Sequence, residues 1–268
     1  MMNWIHHNLN QRLLDKTLDF KVTLIPSKFK VMSFHNAADY TAQQIANLNI
    51  PLYLGLSGGV DSEYVLICFY RNQIPIIPII IKTSGNKSET SFAFHICQKL
   101  NITPIVLNLS DNDNLSLVNY CFNKFNVYAQ YTIPCILASN YAKKNNGILI
   151  TGNHFIDDIN TTIQNVDAAE WDFYHIFLSN KNDINFYSYN PEITYSMIYQ
   201  INELPVNKFK CQLYQIRFRP KILPIYNKYV EFYTKKSLNL QLQKYPNYHY
   251  IFGKKEEVLS MMEKWNVD

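Results

Sequence analysis

One short polar turn constrains this chain more than any other feature. It lies within Leu54-Gly55-Leu56-Ser57-Gly58-Gly59-Val60-Asp61-Ser62. The apolar run from Pro51 to Leu56 predicts a buried strand, and the pattern from Glu63 to Arg71 predicts an amphipathic helix. Strand, glycine turn and helix together make an anion site. The N–H groups of the turn and of the first helical turn lack intrahelical partners, and the helix dipole adds partial positive charge. Gly58 and Gly59 allow positive φ and let phosphate oxygens approach the backbone, while Ser57 and Ser62 add hydroxyl donors. Asp61 is the unexpected member, because a carboxylate beside a phosphate is repulsive unless a cation lies between them. Its presence points to Mg²⁺, a hard cation that takes carboxylate and phosphate oxygens together.

Ser-Gly-Gly alone is also an ordinary turn, and Asp-Ser an ordinary helix N-cap pair. The setting between a buried strand and a helix favours the phosphate reading. The string lacks the Gly-Lys-Ser/Thr of a Walker A loop and is not Gly-x-Gly-x-x-Gly. It resembles the PP-loop, Ser-Gly-Gly-x-Asp-Ser, of the N-type ATP pyrophosphatases. That superfamily includes the synthetase domain of asparagine synthetase, GMP and NAD synthetases, tRNA-lysidine synthetase and the tRNA thiolases. The resemblance implies an adenine nucleotide alpha hydrolase-like fold that binds ATP through Ser57, Gly58, Gly59, Asp61 and Ser62. It also implies cleavage between the α and β phosphates, with AMP passed to a substrate oxygen.

The 268 residues, 47% hydrophobic and 17% charged, suffice for one sizeable core or a core with a smaller appendage. A net charge of +4 and a pI near 8.6 permit an anionic substrate or RNA without requiring either. Cys68, Cys97, Cys121, Cys135 and Cys211 are scattered without a Cys-x-x-Cys pair, so reduced, mostly buried thiols are expected rather than zinc or iron–sulfur ligands. No signal peptide is evident from Met1 onward, and no apolar run approaches the roughly 18 residues needed to span a bilayer. A reducing cytoplasm is the expected location, with no membrane partner. Asn, Ile, Lys and Tyr are abundant and glycine numbers only 7, a bias that looks nucleotide-driven.

Residues 1–49 form a covering segment in this reading, with helices expected at Asn10–Phe20 and Ala37–Leu48. The alternation then becomes regular. Strands are expected at Ile76–Ile81, Thr103–Leu109 and Ile148–Thr151, although Pro78 argues against a central strand. Helices are expected from Ser88, over Leu115–Phe125 and over Cys135–Lys144. Apolar strands alternating with helices indicate an α/β fold with a parallel, doubly wound sheet covered on both faces. The ATP-binding domain is expected to span 50–165, and the ligand to sit at the carboxyl ends of the strands.

The second informative stretch is Ile148-Leu149-Ile150-Thr151-Gly152-Asn153-His154-Phe155-Ile156-Asp157-Asp158. Again a strand runs into a glycine turn, which places Gly152, Asp157 and Asp158 on the same sheet edge as Asp61. Asp at this position is also a common N-cap. Two adjacent carboxylates there supply the second half of a Mg²⁺ site, and Asp61 and Asp158 are the catalytic carboxylates in this reading. The stretch resembles the Gly-His-x-x-Asp-Asp element of tRNA-lysidine synthetase and the tRNA thiolases, with Asn153 inserted before His154. Lys82, followed by Thr83-Ser84-Gly85, either lines the nucleotide pocket or is a solvated strand end.

Residues 166–268 are expected to form a mostly helical substrate region. Trp171, Phe173, Tyr174, Phe177, Phe186, Tyr187, Tyr189 and Tyr195 crowd there without a clear period and are read as core more than as a base-stacking surface. Arg217, Arg219 and Lys221 gather three cations that can hold pyrophosphate, a carboxylate or RNA phosphate, or can form a solvated face. The acceptor is not named by these residues. A fused glutaminase would need an N-terminal cysteine, and position 2 is Met2, so nitrogen is expected from ammonia or an ammonia-supplying partner. The leading expectation is an asparagine synthetase-like enzyme that adenylates a carbonyl or carboxylate. A tRNA-modifying synthetase with a sulfur-supplying partner is the alternative, and a non-catalytic nucleotide binder is a third.

Overall fold

The computed structural model describes residues 5–7, 22–24, 30, 32–83, 86–110, 112–113, 116–117, 120, 134–153, 183–201 and 213–216. A short antiparallel pair, β1 (Ile5–His7) and β2 (Val22–Leu24), stands apart from the main sheet. Helix α1 (Phe34–Ala46) leads into β3 (Leu52–Gly55), α2 (Val60–Arg71), β4 (Ile77–Lys82), α3 (Lys87–Lys99) and β5 (Ile105–Asn108). Further along come α4 (Pro134–Lys144), β6 (Ile148–Thr151), β7 (Ile184–Asn185), a 3₁₀ turn (Phe186–Ser188) and α5 (Pro191–Ile201). The expected helices at Asn10–Phe20 and Leu115–Phe125 fall largely or wholly outside the described residues.

The main sheet has five strands in the order β5-β4-β3-β6-β7, every pairing parallel. The chain winds outward from β3 to β5, then crosses back to β6 and β7 on the other side. This is the doubly wound order, and its switch point lies between the carboxyl ends of β3 and β6. β7 is only a two-residue strand, yet it extends the sheet from beyond residue 165.

Period-two alternation sorts the strand residues between two faces. Leu52, Leu54, Ile80, Ile148 and Ile150 share a core with α1, α2 and α5. Tyr53 faces the other way and meets Tyr141 of α4 edge-on, with ring centroids 6.0 Å apart. Phe34, Phe69 and Phe186 are wholly buried in the first of these cores, each contributing about 1.5–3 kcal/mol. Helix α1 joins the core on this sheet face and makes its main contacts with α2 and α5, tied to α5 by Phe34 N–H donating to Gln200 Oε1 at 2.9 Å. α2 is therefore buried along most of its length, from Ser62 to Phe69.

Pro78 sits in a central strand after all, paired with Leu54 of β3. Ile79 accepts from Leu56 N–H, so its backbone faces β3 and that of Pro78 faces β5. The β4–β5 ladder begins only at Ile79, so the missing donor falls where β5 offers no partner. Scarce glycine shows at the helix exits: Gln73, Asn101 and Asn146 take positive φ where glycine is usual.

Below the sheet face, Asp183 ties three elements together. Its carboxylate accepts from Ser139 Oγ of α4 at 2.5 Å and from Leu149 N–H of β6 at 3.0 Å, at a site that is 7% exposed. Asp183→Ala leaves both donors buried without that acceptor and should cost about 3 kcal/mol. Asp183→Asn retains an acceptor for Leu149 and should cost less than half of that. Urea unfolding of the two variants checks the order.

Candidate functional site

The site is built where β3 ends. Leu56 N–H donates to Ile79 O at 2.9 Å, which carries the ladder one residue past β3 before the chain turns. Gly58 then adopts φ 95°, and a Cβ there would collide with the main-chain carbonyl of Glu89 in α3. The turn is thus seated directly on the first turn of α3. Gly59 is the N-cap of α2, and no side chain caps the helix. The helix starts at Val60, earlier than the expected Glu63, which places Asp61 and Ser62 within its first turn.

The two serines organise the turn. Ser57 N–H donates to Ser62 Oγ at 3.3 Å, and Gly59 N–H donates to Ser57 Oγ at 3.2 Å. The hydroxyls lie 3.1 Å apart, and Ser62 also donates to Gly59 O at 3.2 Å. Two N–H groups expected to face a phosphate are therefore engaged with serine oxygens in this form of the loop.

From the other strand of the switch point, Gly152 closes against the same helix end. A Cβ on it would lie 2.9 Å from Ser62 Cα and N and 3.2 Å from the Asp61 carbonyl carbon. Only hydrogen fits between the end of β6 and α2. Gly152 thereby holds the β6 edge against Asp61 and Ser62, which gives the predicted glycine a packing reason.

Asp61 is gripped twice. Tyr214 Oη donates to its Oδ1 at 2.7 Å, and Tyr187 Oη donates to its main-chain carbonyl at 2.9 Å. Tyr214 stacks on Tyr64 of α2 with centroids 4.6 Å apart and 17° between planes, and on Tyr187 at 6.0 Å. Burial pushes both Tyr187 and Tyr214 well above the ordinary phenol pKa, and the Asp61 carboxylate adds to the rise. Both therefore remain neutral O–H donors at any pH the protein meets. The tyrosine stack continues outward through Tyr64, whose hydroxyl accepts from Arg71 Nη2 at 3.3 Å and lies 2.8 Å from His35 Nδ1. Arg71 is in turn paired with Asp39 at 2.6 Å.

Ser57, Gly58, Gly59, Asp61, Ser62 and Gly152 are thus brought together at the switch point. Asp157, Asp158, His154, Arg217, Arg219 and Lys221 lie outside the described residues. Among the described residues no group of three or more His, Cys, Asp or Glu could hold a metal. The Asp61 carboxylate and the Ser57 and Ser62 hydroxyls, all carried by this one turn, are nevertheless hard-oxygen donors, which suit Mg²⁺ and not a soft metal.

Lys82 is exposed, its ammonium 5.8 Å from the Phe94 ring centroid. Phe186, Tyr187 and Tyr195 are buried, so these members of the aromatic crowd are core. Cys68, Cys97 and Cys135 are not joined in disulfides, the first two are buried, and burial raises Cys97 to about 11. A groove of about 590 Å³ lined by Tyr70, Arg71, Ile74 and Ile102 opens at the opposite, amino edge of the sheet. No helix among the described residues is long and apolar enough to cross a membrane.

Tyr187 and Tyr214 are the site residues that motif reading missed. Tyr187 stood in an aromatic crowd that has no period, and nothing around Tyr214 marks it in the sequence.

No family model matches the chain. It is 30% identical over 97 residues to a tRNA-specific 2-thiouridylase of Fusobacterium nucleatum, a match covering 36% of this chain and 26% of that protein. The chain thus spans about a quarter of that relative's length. Among solved structures it is similar to a glutamine-dependent NAD⁺ synthetase of Acinetobacter baumannii, solved with ADP. The TM-score is 0.44 and the identity 11%, over 92% of this chain and 48% of that one. It is also similar to the NMN synthetase of Francisella tularensis, with a TM-score of 0.37 and 14% identity over 82% of this chain and 96% of that one. The Ser57–Ser62 loop, its place between β3 and α2 in a doubly wound parallel sheet, and the likeness to a thiouridylase bear out the resemblance to the PP-loop superfamily.

Proposed function

We propose that the chain is an ATP-dependent adenylating enzyme that cleaves ATP to AMP and pyrophosphate. The observation that carries this reading is the position of Asp61. It lies in the first turn of a helix that no side chain caps, at the switch point, where a triphosphate would meet the N-terminus of α2. Gly58 and Gly59 leave the loop without side chains that would hold a phosphate off. When bound, Mg²⁺ would neutralise charge on the phosphate oxygens, with Asp61, Asp157 and Asp158 as its proposed ligands.

The residues of the chain then have distinct tasks. Ser57 and Ser62 exchange their internal hydrogen bonds for bonds to phosphate oxygens, and the freed N–H groups of Ser57 and Gly59 do the same. The dipole of α2 favours the negative charge that develops on the leaving pyrophosphate. Gly152 keeps the end of β6 against the helix turn that carries Asp61, and Asp158 is proposed to act with Asp61. Arg217, Arg219 and Lys221 are proposed to hold the anionic acceptor or pyrophosphate.

For the acceptor, the leading reading is a carbonyl or carboxylate oxygen resolved by a nitrogen nucleophile, as in asparagine synthetase, with ammonia supplied free or by a partner. The likeness to a tRNA thiouridylase favours a second reading, a tRNA acceptor with a sulfur-supplying partner. A cytoplasmic setting suits both, given that the described cysteines are not joined in disulfides. Acceptor-dependent release of pyrophosphate, screened over metabolite and tRNA pools, tests the proposal. Release driven by neither pool would overturn it.

A further inference from the structure

We propose that Tyr214 is a positioning residue that orients the Asp61 carboxylate for its cation. The proposal rests on the reading above, in which Asp61 is a ligand of Mg²⁺. Two hydroxyls, from Tyr187 and Tyr214, converge on this one residue across sequence separations of 126 and 153. A core that needed only aromatic volume would be served by phenylalanine at both places, because the stack on Tyr64 uses rings alone. Burying a hydroxyl carries a cost unless it is bonded. Tyr214 is 3% exposed, and its hydroxyl is directed at the Asp61 carboxylate at 2.7 Å.

The geometry divides the work. Tyr187 fixes the main chain of Asp61 through its carbonyl, and Tyr214 fixes the rotation of its side chain through Oδ1. A carboxylate held in this way meets an incoming cation in one orientation, with less freedom to lose on binding. Partners of this kind typically change metal affinity by about 10- to 100-fold. The residue acts through Asp61 and makes no contact with substrate in this account. The segment 213–216, distant in sequence from the loop, thereby becomes part of what sets its metal affinity.

The test measures binding, not turnover. The full chain is titrated calorimetrically with α,β-methylene-ATP, once with Mg²⁺ and once with EDTA, and the ratio of the two affinities is the readout. Tyr214→Phe is expected to lower that ratio about ten-fold. In an Asp61→Ala background the same substitution is expected to change it by less than two-fold, because the group it positions is gone. An unchanged ratio in Tyr214→Phe, or an equal fall in both backgrounds, overturns the proposal. Absence of any Mg²⁺-linked difference in the wild type overturns the reading of Asp61 as a cation ligand, and this proposal with it. Should Tyr214→Phe fail to fold, 3-fluorotyrosine placed at 214 keeps the hydroxyl. Its ¹⁹F resonance is expected to move with Mg²⁺ and nucleotide together and not with nucleotide in EDTA, and identical shifts would overturn the proposal.

Discussion

Asp61→Asn is expected to lower turnover about a thousand-fold, on the order of 4 kcal/mol of lost transition-state stabilisation, while the fold persists. The size follows from removing a negative ligand next to developing phosphate charge. The persistence of the fold follows from the contacts. Asparagine keeps a side-chain oxygen to accept from Tyr214, and the bond from Tyr187 goes to the main chain, which the substitution does not touch. Pyrophosphate release and a thermal melt measure the two halves. Wild-type rates in the variant would remove Asp61 from the chemistry, and a collapsed melt would make its role structural.

Gly58→Ala is expected to be the most damaging single methyl group in the loop, at about 3–5 kcal/mol. Two effects add. The residue sits at φ 95°, where a side chain is strained, and its new Cβ would run into the Glu89 carbonyl of α3. That carbonyl belongs to helix backbone, so relief means moving the turn or the first turn of α3. A domain whose whole stability is about 5–15 kcal/mol feels such a change as a large loss in urea unfolding. Molecules that still fold should bind nucleotide weakly, since the loop is what shifts. A variant with unaltered midpoint would show that the turn can slide away from α3 freely.

Legibility in the sequence followed how local each signal was. The strand before Ser57, the helix after it and the strand Ile148–Thr151 could be read because an apolar run broken by a glycine turn is a local pattern. The sheet edge shared by Asp61 and Gly152 followed from parallel strands alone. The order of the strands did not, because it depends on where crossovers land. Pro78 misdirected the reading of β4, since its harmlessness depends on β5 starting one residue later in register. β7 has two residues and carries no period of its own. Tyr187 and Tyr214 reach Asp61 only through tertiary folding, so no spacing could have announced them. The paired carboxylates Asp157 and Asp158 and the cations Arg217, Arg219 and Lys221 remain expectations drawn from the sequence.

The products of turnover decide which phosphate bond breaks. A Walker-type loop brings a lysine to the β and γ phosphates and releases orthophosphate. This loop holds no lysine between Ser57 and Ser62, and it carries two hydroxyls and a carboxylate that, with a cation proposed to bind there, would face a leaving pyrophosphate. Charge is then best stabilised when an acceptor oxygen attacks the α phosphorus in line. Turnover should yield AMP and pyrophosphate in equal amounts, with ¹⁸O from the labelled acceptor oxygen appearing in AMP. ADP and orthophosphate as the stoichiometric products, with no label in the nucleotide, would contradict it.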